Sequence, residues 1–99
     1  MNSYRYHITM EMTKGQRGEP VTGKSLSFEA QNHDDILSIV DRLQSRGEFS
    51  FDTAAALGVG LKLLSEVALE NRNNPLFAPL REHLREFIHE LKKGTPQPQ

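Results

Sequence analysis

Residues 51–71 read FDTAAALGVGLKLLSEVALEN, the most apolar stretch of the chain. Ala54, Ala56, Leu57, Leu61, Leu63, Leu64, Val67 and Ala68 recur at helical spacing. On a helix they cover about half of the circumference. Lys62, Glu66 and Glu70 leave only a narrow polar strip. A helix so broadly apolar belongs at the centre of a fold, in contact with more than one neighbour. Ser50 or Asp52 is the expected cap, and the helix is expected to run to about Asn71.

Gly58 and Gly60 lie inside this helix. Each costs roughly 1 kcal/mol there relative to alanine, so something must offset the cost. One explanation is close approach of another helix or of a hairpin, and this is the usual reason for a conspicuous helix glycine. The sharper one is a dimer contact, which would engage Gly58, Gly60, Leu63 and Val67, or a small ligand on the bare backbone. Gly58-Val59-Gly60 is not a phosphate loop, because the third glycine, the lysine and a preceding strand are missing.

Downstream, NRNNP at 71–75 stops the central helix. Asn74 as cap and Pro75 at the first helical position start another helix. Its stripe is Phe77, Leu80, Leu84, Phe87, Ile88 and Leu91, while Glu82, Glu86, His89 and Lys93 face water. The closing GTPQPQ, residues 94–99, is expected to be a frayed, disordered tail.

Upstream, residues 4–12 (YRYHITMEM) alternate. Tyr4, Tyr6, Ile8, Met10 and Met12 share one side of an extended chain, and Arg5, His7, Thr9 and Glu11 the other, which is the pattern of a half-buried strand. Residues 24–30 alternate again, with Leu26, Phe28 and Ala30 inward. Between them, residues 13–23 carry three glycines and a proline, a connection longer than a tight two-residue turn. Asn32 is the expected cap of the next helix, with Asp34 and Asp35 in its first turn. Ile36, Ile39, Val40 and Leu43 form its stripe and Gly47 its left-handed stop.

The order is ββααα: an α+β fold with an N-terminal antiparallel β-hairpin followed by three helices. Ninety-nine residues make one domain, expected over 1–93. The hairpin should pack on the first two helices with the third closing the bundle. A two-stranded sheet is marginal alone, so a homodimer is expected to complete the sheet or cover the surplus apolar surface of the central helix.

Composition narrows the function. Lys and Arg number 12 against 13 Asp and Glu, which lacks the basic excess that phosphate neutralisation favours and argues against a nucleic-acid partner or an anionic membrane surface. Without cysteine there is no disulfide, thiolate nucleophile or Cys-ligated zinc, which fits a cytoplasmic location. No segment has signal-peptide or bilayer-spanning character.

Candidate sites are few. His33, Asp34 and Asp35, with His7 added from the first strand, could form an acid–base or metal site, but helix capping alone explains both aspartates. Glu86 and His89 have the spacing of half a di-metal carboxylate motif, yet they stand alone and point away from the buried stripe. Ser50, Thr53 and Ser65 have no nucleophile-elbow context. Lys14, Arg17 and Lys24, interrupted by Glu19, form a mildly basic rim that serves solubility. No cofactor and no metal are expected.

The alternating first strand, SLSFE at 25–29, NHDDI at 32–36, FDTAAALGVGLKL at 51–63 and NPLF at 74–77 together resemble a bacterial family known as domain of unknown function 3861. The resemblance runs from about Tyr4 to Lys93. It implies a bacterial source and a relation to ubiquitin-like rolls, and it assigns no catalytic or binding residue. The leading expectation is a non-enzymatic protein-interaction module acting as a homodimer on an unidentified protein partner. One alternative is an enzyme or small-ligand binder using His7, His33 and Asp34 between the hairpin and the first helix. A second is a nucleic-acid-associated regulator with a stripe of Arg5, Lys14, Arg17 and Lys24.

Overall fold

A computed structural model describes residues 3–95. The elements are β1 (Tyr4–Glu11), β2 (Ser25–Asn32), α1 (Ile36–Gln44), α2 (Phe51–Glu70), a 3-10 turn (Pro75–Phe77) and α3 (Ala78–Lys93). The ββααα order stands. Residues 96–99 of the expected tail lie outside the described residues.

β1 and β2 pair antiparallel, from Tyr4 opposite Asn32 to Glu11 opposite Ser25. This register puts Tyr6 beside Ala30, Ile8 beside Phe28 and Met10 beside Leu26 on one face. His7 beside Glu29 and Thr9 beside Ser27 occupy the other. The long connection continues the ladder loosely, through Met12 N–H to Lys24 O and Val21 N–H to Thr13 O. Among the described residues the sheet has only these two strands. No later segment alternates in a way that would add one.

Asn32 is not the cap of α1. It ends β2, and Asp35 is the cap, its carboxylate accepting from the Ser38 amide at 3.2 Å and the Ser38 hydroxyl at 2.8 Å. Gly47 adopts φ 83° beyond the end of the helix, the left-handed role expected of it. Ser50 caps α2 by accepting from the Thr53 amide at 3.3 Å. Asn74 caps the 3-10 turn, accepting from the Leu76 amide, and Pro75 leads into α3.

The buried apolar residues are Ile36, Val40 and Leu43 of α1 and Ala54 and Ala68 of α2, and Val40 and Leu43 pack against α2 at Gly58. No residue of α3 is fully buried. It leans on α2 through Leu84 and Ile88, and Arg46 anchors its end by donating from Nη1 to Leu91 O at 2.6 Å. The third helix therefore closes the bundle only loosely: Ile88 and Leu91 share a cleft with Ile39 and Leu43 of α1 and Leu61 of α2, yet no α3 residue is fully buried.

Candidate functional site

The β2–α1 junction gathers the polar groups. Asn32, 1% exposed, donates from Nδ2 to Lys62 O in α2 at 2.9 Å and accepts from the Asp34 amide at 3.0 Å. Tyr6 reaches over from β1. Its hydroxyl donates to Asp34 O at 3.0 Å and accepts from the Ile36 amide at 2.9 Å, satisfying a first-turn donor of α1. These two side chains fix the peptide between strand and helix.

The junction presents two charged rungs to α2. His33 Nδ1 lies 3.0 Å from Glu66 Oε1, and Lys62 Nζ lies 2.5 Å from Asp34 Oδ2. Lys62 and Glu66 are one helical turn apart, so both rungs stand on one face of α2. A cleft of about 190 Å³ opens beside them, lined by Asn32, His33, Lys62, Ser65 and Glu66.

His33 and Asp34 are thus neighbours, but His7 is not with them. It sits on the exposed face of the hairpin, paired with Glu29 directly opposite. Glu29 is four residues from His33, a rise of about 13 Å along a strand. Among the described residues no group of three His, Asp or Glu could hold a metal ion.

The hydroxyls are engaged elsewhere. Ser65 donates to Leu61 O at 2.6 Å within its own helix, and Ser50 and Thr53 serve the start of α2. His89 and Glu86 are exposed on α3. The geometry of the junction is that of a clamp.

The two helix glycines have different surroundings. Gly58 is buried against α1: a methyl group there would lie 3.0 Å from Val40 Cγ2 and 3.3 Å from Leu43 Cδ1. Gly58 therefore leaves the set expected to meet a partner, because its own chain covers it. A methyl on Gly60 would meet nothing within 4 Å. Gly60 lies with Ala56, Leu63, Leu64 and Val67 on the outer face of α2, and Val67 is 45% exposed. Their spacing is that of a seam for another helix.

The hairpin leaves a second apolar face open toward its tip, with Met10 66% and Leu26 58% exposed. Sequence periodicity grouped both sets of residues, but the expectation that Leu26 and Phe28 turn inward is corrected: they are 58% and 38% exposed, because among the described residues no helix covers that end of the hairpin. Periodicity could not show that Asn32 and Tyr6 act as junction ties, since each bridges about thirty residues of chain. Among the described residues no helix is long and apolar enough to cross a membrane.

A family model described as a domain of unknown function with a solved structure (DUF3861) matches residues 4–93. A crystal structure of a protein of unknown function from Pectobacterium atrosepticum is similar, with a TM-score of 0.79 and 30% identity over 93% of this chain and 99% of that one. Comparison with curated proteins gives no match.

Proposed function

The chain belongs to the family of domain of unknown function 3861, and from that premise we propose that it is a non-enzymatic, cytoplasmic protein-interaction module that acts as a homodimer joined through the outer face of α2. One observation carries this reading: the chain has more surface than a folded monomer of its size should. Its accessible surface is 7817 Å². A compact domain of this mass exposes about 5,700 Å². The excess is about 2,100 Å² over the whole chain, and the outer residues of α2 contribute to it, with Leu64 42% and Val67 45% exposed.

The same imbalance appears in shape. The Cα radius of gyration is 15.7 Å, whereas a compact chain of this length gives about 13 Å. A second copy is the occupant favoured here, since a two-fold interface needs only one self-complementary patch. The α2 stripe supplies that patch. It carries no charge, and Gly60 at its centre lets another backbone approach without a side chain between.

Light scattering on the full-length chain during size exclusion tests the reading. Twice the chain mass at micromolar concentration is expected. A single chain mass across that range overturns it.

A further inference from the structure

A cleft of about 280 Å³ lies between α1, α2 and α3, and none of the outer-stripe residues of α2 lines it. Its apolar wall is Ile39 and Leu43 from α1, Leu61 from α2, and Ile88 and Leu91 from α3. Its rim carries Arg42, Lys62 and Lys92 against one carboxylate, Asp34. Lys62 is already held by Asp34. Arg42 and Lys92 form no hydrogen bond or ion pair among the described residues. Arg42 influences Asp35 only at a distance.

We propose that this cleft binds a small amphipathic anion, a carboxylate carrying a short aliphatic tail. Two uncommitted cations beside an aliphatic wall complement such a molecule. The head group receives charge-assisted hydrogen bonds from the guanidinium and the ammonium. The tail replaces water against the leucines and isoleucines. The volume sits at the lower limit of small-molecule sites, roughly 300 Å³, so the ligand is small. The local balance is positive although the whole chain carries a net charge of -1. The proposal goes beyond the dimer reading and does not depend on it.

Octanoate, octan-1-ol and inorganic phosphate serve as probes, titrated into the ¹⁵N-labelled full chain and followed by amide chemical shifts. Octanoate is expected to saturate, with shifts centred on Arg42, Leu61 and Lys92. Octanol should bind at least tenfold more weakly and phosphate not measurably. Shortening the acid by one methylene should weaken it roughly fourfold. The double variant Arg42→Gln/Lys92→Gln should lose at least tenfold for octanoate and nothing for octanol, and Lys92→Glu alone gives an independent check should the double variant misfold. Equal affinity for acid and alcohol, no saturation, indifference to these variants, or shifts on the hairpin face or the α2 stripe would overturn the proposal.

Discussion

Val40 packs onto the bare Cα of Gly58, so closely that a methyl group added there would sit 3.0 Å from Val40 Cγ2. The contact is a close approach of α1 to α2. A larger side chain would push the two helices apart. Gly58→Leu is therefore expected to destabilise the fold by about 2 kcal/mol or more, as overpacking does. Urea denaturation measures it. A variant as stable as the parent would show that the contact can yield.

The Tyr6 hydroxyl is the second tie. Tyr6→Phe removes the acceptor for the Ile36 amide and the donor to Asp34 O while leaving the ring in place. The expected cost is about 1–2 kcal/mol, the penalty for unpaired backbone groups at a partly buried junction. Hydrogen exchange at Ile36 should accelerate relative to the middle of α1. Unchanged protection there would mean that water replaces the hydroxyl without loss.

Arg46 connects the end of α1 to the end of α3, with Nη1 donating to Leu91 O at 2.6 Å and to Thr95 Oγ1 at 3.0 Å. A cation at a helix C-terminus also meets the negative end of the helix dipole. Arg46→Ala should lower stability by about 1–2 kcal/mol and release protection over the last turn of α3. Loss spread evenly over all helices would contradict a local clamp.

Asp35 sets an acid-side dependence. The Ser38 hydroxyl, and then the Ser38 amide, hold its carboxyl below the ordinary value of 3.8, against a small opposing effect of burial. Folding thus favours the ionised form. The stabilisation is complete above the unfolded-state value and disappears as pH falls through 3.8 toward the lowered folded-state value. Ser38→Ala removes the leading cause, so the Asp35 midpoint followed by NMR titration should rise toward 3.8. A midpoint that stays put would assign the shift to the backbone amides or Arg42.

How far the sequence carried the fold depended on how local each signal was. Alternation in 4–12 and 24–30 and the apolar spacing in 51–71 sufficed for the hairpin and the central helix, since each pattern reflects its own element's geometry. The cap of α1 is Asp35 and not the expected Asn32, and both are good capping residues. What separates them is a contact to Lys62 O, thirty residues away in the chain. The ties made by Tyr6, Asn32 and Arg46 all depend on how the elements pack together, which no local period records. The same holds for the two glycines. Their sequence contexts are alike, yet one faces α1 and the other faces outward.

Gly60 is where the central claim can be tested. Sedimentation equilibrium on the parent chain, on Gly60→Leu and on Leu26→Ser, with circular dichroism to verify the fold, separates the α2 stripe from the hairpin face. Dimers are expected for the parent and for Leu26→Ser, and a folded monomer for Gly60→Leu. A monomeric parent, or a Gly60→Leu dimer as tight as the parent's, would contradict the account.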